Sequence, residues 1–328
     1  MKIITALMLS LSLFTLSKQV SATDILVIES YNQEYSWDAS YKKALIESLG
    51  DKYSLEFFQM NTKRLPVSVH QAQADKAWQL YKNKHPRLVI LGDDNALKYL
   101  GPRLAKEAVP VVYLGINNNP RSYFETAPHN FTGVLERPLF KRSIASLAKI
   151  IKPRPKKVLV LFDAGTTAKA AVSEAFDGDI GINVFGVDAK LRLIKSWVEW
   201  KVQVSKARQH GYDAIIMGLY HTITDLNGKN VPADQVMSWT VEHSRVPLFS
   251  FWDFSVGKGK AIGGLVLSGE EQGRLAGSIA GQILNGASPE KIYPKTAEQG
   301  RYLFSRSMLD RYGVVLPDSI NALSALID

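Results

Sequence analysis

The sequence of 328 residues contains no cysteine. A chain without cysteine has no disulfide framework, no thiol nucleophile and no lipid-modified cysteine behind a leader peptide. If such a chain is exported, its stability must come from its hydrophobic core. A length of 328 residues is ample for that core and favours two domains over one.

The common sequence motifs of catalysis are also missing. The chain has no Gly-x-Ser-x-Gly motif, and the Gly-Lys-Gly-Lys segment at 257–260 lacks the spacing of a phosphate-binding loop. Its six histidines show no metal-ligand spacing, and His221 with Asp225 has no third ligand nearby in the sequence. We therefore expect no enzyme activity, no metal and no other cofactor, with an exported α/β enzyme as the weaker alternative.

No segment after residue 22 is apolar enough to span a bilayer. Residues 1–22 combine Lys2, an apolar stretch at 3–16 and the small residues Ser21 and Ala22, which is typical of a secretory signal peptide. The stretch is shorter than a membrane span, so we expect cleavage after Ala22 instead of an uncleaved anchor. The mature chain would begin at Thr23 in a Gram-negative periplasm, without a lipid anchor.

The formal charge of +9 does not identify a nucleic-acid partner. Basic residues are spread along the chain, and their densest cluster, at 152–157, lies between a predicted helix and a predicted strand. A net charge that is spread over the chain affects solubility and weak, nonspecific association, and it does not by itself indicate a specific function. Since export also argues against nucleic acid, we expect no nucleic-acid partner.

Continuous apolar runs recur along the chain, each followed by polar residues or glycine. They lie at 25–28, 88–91, 111–114, 158–162 and 214–217. Such runs suit parallel strands covered by helices on both faces, and open α/β sheets bind ligands at the carboxyl ends of their strands. The sequence therefore predicts an α/β fold with a cleft for a small polar molecule.

Predicted helices alternate with these strands. They cover 37–50, 66–84, 94–107, 138–151, 167–176, 194–210, 232–243 and 269–285. In the last of them, glycines at 273, 277 and 281 recur every four residues, which predicts a close approach of this helix to the sheet. Transitions between domains are expected near 131–137 and 249–254.

The candidate ligand contacts are polar and aromatic residues just past the predicted strands. Carboxylates that can face an ammonium group are Asp93, Asp94, Glu136 and Asp253. Hydroxyls that can hold a carboxylate are those of Ser30, Thr166 and Thr167, the last two with backbone N–H groups if they open a helix. The amides of Asn117 and Asn118 and the rings of Tyr31, Tyr220 and Trp252 complete the predicted site.

Two structural alternatives stand beside this interpretation. One of Asp93 and Asp94 can be the N-cap of the following helix. Each aromatic residue, including Trp37 as a further candidate, can simply belong to the core.

Several segments, taken in order, resemble a known family. They are 25–31 with Trp37, then 91–94, 114–118, 133–136, 251–259, the helix start at 272–273 and 283–286. They look like the TrpX-like, ABC-type substrate-binding proteins of the type I periplasmic-binding fold, over essentially the whole mature chain. The chain differs from members with a lipid-anchored cysteine, and its crossover at 251–254 is bulkier.

The resemblance implies two Rossmann-like lobes with parallel sheets, joined by three crossovers, with the ligand in the cleft between them. Lobe one would comprise 23–134 plus 254–290, and lobe two 135–253 plus 291–328. Members bind small molecules including aromatic amino acids. We therefore expect a monomeric periplasmic solute-binding protein that captures a small polar or aromatic, amino-acid-like ligand and delivers it to an inner-membrane ABC permease. The alternative is a ligand-sensing partner of a membrane sensor kinase or cyclic-nucleotide signalling receptor.

Overall fold

The computed structural model describes residues 23–176, 178–297 and 300–328. The predicted signal peptide, residues 1–22, lies outside these ranges. Within them, no helix is long and apolar enough to cross a membrane.

Strands and helices alternate along the described chain, as the sequence predicts. The strands are β1 Ile25–Glu29, β2 Leu55–Gln59, β3 Leu88–Gly92, β4 Val111–Ile116, β5 Phe131–Leu135, β6 Lys157–Asp163, β7 Gly181–Val184, β8 Val187–Ile194, β9 Ala214–Met217, β10 Leu248–Ser250, β11 Gly263–Val266, β12 Lys295–Thr296, β13 Arg301–Ser305 and β14 Ser324–Ile327. The α-helices are α1 Ser36–Leu49, α2 His70–Lys84, α3 Asp93–Leu104, α4 Phe140–Ile150, α5 Thr166–Phe176, α6 Trp197–Lys206, α7 Ala233–His243, α8 Gly269–Leu284, α9 Arg306–Tyr312 and α10 Asp318–Asn321.

The first lobe is built on a six-stranded parallel sheet in the order β12, β5, β4, β3, β1, β2. Ile25 and Val27 of β1 pack with α1 and α8, whereas Leu26 and Ile28 pack with α2 and α3. Both faces are covered, which is why a continuous apolar run forms this strand. The register pairs Glu29 with the last residue of β3, so the polar residues after the two strands lie side by side.

The second lobe contains the sheet β10, β9, β6, β8, β7, in which only β7 is antiparallel to its neighbour. β7 and β8 form a hairpin that is missing from the predicted pattern. Buried and more exposed residues alternate along β8. This strand therefore has the period of a half-buried strand and not the continuous run used to find the others.

The chain passes between the two lobes three times: after β5, between β11 and α8, and between β12 and β13. A third sheet, in the order β11, β13, β14, lies along the last two passages. The predicted lobe boundaries stay a prediction. Two strand pairs connect segments that the prediction assigns to different lobes. Strand β11, in segment 254–290, pairs with β13, and strand β12, in segment 291–328, pairs with β5 of the first sheet.

The glycines of α8 allow a close helix contact. A Cβ atom at Gly273 would lie 2.3 Å from the carbonyl oxygen of Tyr41, and one at Gly277 would lie 2.8 Å from Cβ of Ser48. The predicted close approach is confirmed, but the predicted partner is wrong. These glycines face helix α1 and not the sheet, and their lack of side chains lets the backbones of the two helices approach closely.

Candidate functional site

A cavity lies between the two lobes, at the carboxyl ends of their strands. Its empty space, including solvent at the open mouth, is about 460 Å³. The first lobe and its exit from β5 contribute Tyr31, Tyr35, Trp37, Lys63, Asp93, Asn117 and Glu136. The second lobe and its crossover contribute Asp163, Gly165, Thr166, Thr167, Leu219, His221, Thr222, Trp252 and Phe254.

Seven of the twelve predicted ligand contacts line this cavity. They are Tyr31, Asp93, Asn117, Glu136, Thr166, Thr167 and Trp252. Residues that are up to 221 positions apart in sequence, from Tyr31 to Trp252, thus lie around one space. Their contact with a ligand stays a prediction.

Glu136 is buried at the centre of a hydrogen-bonded group that joins the two lobes. Trp252 Nε1 donates to its Oε1 at 2.6 Å, and Asn117 Nδ2 donates to its Oε2 at 3.0 Å. Burial raises the pKa of Glu136 to about 8, although both hydrogen bonds favour the ionised form. The carboxyl group is therefore close to its titration point near neutral pH, and a cation beside it would ionise it.

Asp93 offers a free acceptor to the cavity. The residue has a φ of 66°, a left-handed conformation that is uncommon outside glycine. Trp37 Nε1 donates to Oδ1 at 3.2 Å, whereas Oδ2 is buried without a partner. Burial raises the pKa of Asp93 well above its ordinary value, and the nearby carboxylates of Asp38 and Glu136 add to the rise. Since Asn117 Oδ1 is also buried and unpartnered, this wall has capacity for hydrogen-bond donors.

Aromatic rings separate the cavity from a wider outer groove. The ring centroid of Tyr35 lies 5.3 Å from that of Tyr31, 5.1 Å from that of His221 and 5.7 Å from that of Phe254. Tyr35, His221 and Phe254 line both spaces. Burial lowers the pKa of His221 well below its ordinary value, so the ring is neutral at physiological pH. These rings thus form an aromatic wall that carries no charge of its own.

Lys63 supplies a cation at the same boundary. Its Nζ lies 3.4 Å from the ring centroid of Tyr35 and 4.0 Å from that of Tyr31. Burial lowers its pKa to about 8, and the charges of Asp93, Asp38 and other acids oppose this shift. The ammonium group is therefore largely charged at neutral pH.

Asp163, the last residue of β6, organises the wall of the second lobe. Its Oδ1 accepts from the N–H of Gly165 at 2.9 Å, and its Oδ2 accepts from the N–H of Thr222 at 3.0 Å. These bonds join the loop before α5 to the loop after β9. Helix α5 begins at Thr166, so its N-terminus, where N–H groups favour anions, lines the cavity with Thr167.

Three predicted residues of the first lobe lie outside the lining and bond within that lobe. Ser30 Oγ donates to the carbonyl oxygen of Gly92 at 2.6 Å and accepts from the N–H of Ala96 at 2.8 Å. Asp94 accepts from the N–H groups of Asn117 and Asn118, both at 3.1 Å. Asn118 Nδ2 donates to Ser122 Oγ at 3.1 Å. These contacts hold the strand ends in place.

The other two predicted ligand contacts that lie outside the cavity lining are Tyr220 and Asp253. Tyr220 lines the outer groove, stacks on His221 with 4.6 Å between ring centroids and accepts from Ser255 Oγ at 3.3 Å. Asp253 forms an ion pair with Arg301 at 3.0 Å. The pair ties the crossover after β10 to the first residue of β13.

The alternative that Asp93 or Asp94 caps helix α3 is not what the structure shows. Gly92 is the N-cap residue, so neither aspartate occupies that position. Both aspartates are instead turned to other partners, Asp94 towards the chain after β4 and Asp93 towards the cavity.

The prediction missed several lining residues, among them Lys63, Asp163, His221 and Phe254. Asp163 obeys the rule that found the others, because it ends an apolar run. Lys63 follows β2, whose Leu-Glu-Phe-Phe-Gln sequence is not a continuous apolar run. In the described ranges, no group of three or more acidic or histidine side chains is placed to hold a metal ion.

Comparison with known proteins covers most of the chain. The sequence profile described as ABC transporter substrate binding protein matches residues 60–326. A comparison with curated proteins finds no match.

Among solved structures, the chain is similar to an ABC domain in complex with L-Trp from Streptococcus pneumonia, with a TM-score of 0.63 and 17% identity over 94% of this chain and 100% of that one. A conserved domain protein from Vibrio cholerae has a TM-score of 0.65 and 14% identity over 94% of this chain and 100% of that one. A ligand-free, open substrate-binding protein with adhesive properties from Clostridium difficile has a TM-score of 0.61 and 15% identity over 93% and 98%. At these identities the likeness shows a shared fold.

Proposed function

Because the chain belongs to the family of ABC transporter substrate-binding proteins, which bind ligands and do not catalyse reactions, we propose that it captures an amino-acid-like molecule between its lobes and delivers it to an ABC importer. Members of the family act outside the cytoplasm. We place this protein in the periplasm, after removal of residues 1–22.

The observation that carries the ligand class is the pair of unpartnered acceptors beside Glu136. Asp93 Oδ2 and Asn117 Oδ1 are buried without hydrogen bonds, and a buried polar atom without a partner costs about 1–3 kcal/mol. A ligand ammonium group supplies three donors at this wall. Its charge also favours ionised Asp93 and Glu136, both of which burial shifts towards the neutral form.

The opposite wall suits an anionic and apolar ligand. Thr166 and Thr167 offer hydroxyl groups and the N-terminus of α5 to a carboxylate. Trp252 and Phe254 beside them, and Tyr35 of the first lobe, offer ring surfaces to an apolar side chain. The L-Trp in the Streptococcus structure supports an aromatic amino acid as the ligand of this chain.

The two walls belong to different lobes, which gives binding a mechanical consequence. A ligand that contacts both walls stabilises the arrangement in which the lobes are close together. Closure around the ligand would then present a surface that a permease recognises. The family match favours this output over ligand sensing.

A thermal-shift screen followed by calorimetry tests the proposal. We expect L-amino acids, aromatic ones first, to raise the melting temperature, since binding to the native state stabilises it. Asp93→Asn is expected to weaken the best ligand, whereas Asp51→Asn, which changes an exposed carboxylate outside the cavity, is expected to leave affinity unchanged. Stabilisation by sugars alone, or turnover of a substrate, would overturn the proposal.

Delivery is tested in the organism. Deleting the gene should abolish uptake of the identified ligand. If uptake continues and a ligand-dependent response disappears instead, the protein serves a receptor and not an importer.

A further inference from the structure

Lys63 is held in a fixed place by the loop that follows β2. The N–H groups of Asn61 and Thr62 donate to the carbonyl oxygens of Tyr31 and Ser30, both at 2.9 Å. Thr62 Oγ1 donates to the same Ser30 oxygen at 2.8 Å. This loop is therefore tied to the chain just after β1, and the Lys63 side chain leaves it towards the cavity.

The Lys63 ammonium group has donors to spare. It lies over the rings of Tyr31 and Tyr35, contacts that attract a cation without using its N–H donors in directed hydrogen bonds. Among the described residues, no carboxylate oxygen lies within ion-pair distance, 4.0 Å, of its Nζ. Lys63 is half-buried as a residue, and it lines both the cavity and the outer groove.

The other basic residues of the outer groove are less well placed to bind an anionic group inside the cavity. Arg64 pairs with Glu34 at 3.2 Å, and Lys260 Nζ donates to the carbonyl oxygen of Phe254 at 3.0 Å. Arg64, Lys229 and Lys260 line the groove but not the cavity. Among the described residues, Lys63 is therefore the charged basic side chain that lines the cavity and can reach an anionic group inside it.

We propose that Lys63 is the residue that recognises the ligand's carboxylate, so that the site selects zwitterionic amino acids over amines that lack a carboxylate. The proposal rests on the proposed function, and it specifies in addition that the ligand must carry a negatively charged carboxylate. Lys63 belongs to the first lobe, and the N-terminus of α5 belongs to the second. A ligand carboxylate held between Lys63 and the N-terminus of α5 joins the two lobes. An amine without a carboxylate leaves the charge of Lys63 without a partner, and its own positive charge is repelled by Lys63.

A purely structural role gives a different expectation. Asp38 and Asp93 both raise the pKa of Lys63, so Lys63 can serve simply as the counter-charge of these buried acids. Its loss would then disturb the acids and weaken amines and amino acids alike. The two roles are separated by ligands that differ only in the carboxylate.

The probes are L-tryptophan with tryptamine and L-phenylalanine with phenethylamine, each measured by calorimetry. We expect the wild-type protein to bind the amino acid at least about tenfold more tightly than its amine. Lys63→Met should lower the affinity for the amino acid by about tenfold or more, and it should leave the affinity for the amine within about threefold of the wild-type value. Lys63→Arg should retain the preference, and Lys63→Gln repeats the test if the methionine variant does not fold.

Lys42→Met is the matched control. Lys42 also lies over an aromatic ring, 4.2 Å from the centroid of Phe57, but outside the cavity lining. The Lys42→Met substitution is expected to change neither the affinity for the amino acids nor the affinity for the amines. Equal losses for amino acid and amine in Lys63→Met, or no loss for either, overturn the role of Lys63 while the proposed function stands. If the wild-type protein binds neither amino acid and is stabilised only by ligands that are not amino acids, both the role of Lys63 and the proposed function are overturned.

Discussion

Replacing Glu136 by glutamine is expected to stabilise the ligand-free protein at alkaline pH. Glu136 is 3% exposed, and its pKa is raised from 4.5 to about 8. Between these values the folded protein holds a proton that the unfolded chain has released. The contribution of Glu136 to the free energy of unfolding therefore falls as the pH rises, and above the folded pKa its full cost is present. Glutamine keeps the shape of the side chain and removes the titration.

The size of the effect follows from the shift. A rise of this size costs on the order of 5 kcal/mol at high pH, of which about 3 kcal/mol develops between about pH 5.5 and about pH 8.5. Against this, the amide group of glutamine cannot accept both hydrogen bonds from Trp252 and Asn117, a loss of about 1.5 kcal/mol. The variant should thus match the wild type near pH 5.5 and exceed it by about 3 kcal/mol near pH 8.5.

Urea denaturation of the ligand-free proteins, followed by circular dichroism at the two pH values, measures this difference. Glu125→Gln, in an exposed loop, is the control and should show no pH-dependent difference from the wild type. A Glu136→Gln difference that is the same at both pH values would refute the reasoning, because the raised pKa would then not be a property of the folded state. Affinity for an ammonium ligand should fall in the same variant, since its charged partner is gone.

A matched pair of glycine substitutions tests the contact between α8 and α1: Gly273→Ala should lower the free energy of unfolding by about 1–3 kcal/mol, because its Cβ atom would lie 2.3 Å from the Tyr41 carbonyl oxygen. Gly281→Ala, whose nearest neighbour atom is 3.9 Å away, should raise it by about 0.5–1 kcal/mol in the same denaturation assay; equal effects would contradict the packing. For Asp93→Asn we expect affinity for the best amino acid to fall by about 2–5 kcal/mol in calorimetry, since a buried charged partner is lost, and unchanged affinity would remove Asp93 from the site. Mass spectrometry of the protein from the periplasmic fraction should find Thr23 as the first residue, and an intact residue 1 would contradict cleavage.

The sequence by itself determined the fold class and much of the site. Runs such as 88–91 are buried on both faces in the structure, as expected for strands of a parallel sheet that helices cover on both sides. Because parallel strands end at one edge, residues following separate runs meet there without any further information. This is why Asp93 and Asn117, which follow β3 and β4, line the cavity together although they lie apart in sequence. Thr166 follows β6 of the second sheet, so it reaches the same cavity only because the two lobes face each other.

Tertiary structure decided which residues at that edge face the cavity and which support it. Asp93 and Asp94 are neighbours in sequence, yet the left-handed φ of Asp93 turns one carboxylate to the cavity while the other accepts backbone N–H groups of the next loop. The loop carrying Lys63 follows a strand without a continuous apolar run, so its place depends on bonds to β1's exit. Backbone conformation and long-range hydrogen bonds of this kind leave no periodic signal in the chain, because they depend on partners that only the folded lobes bring together.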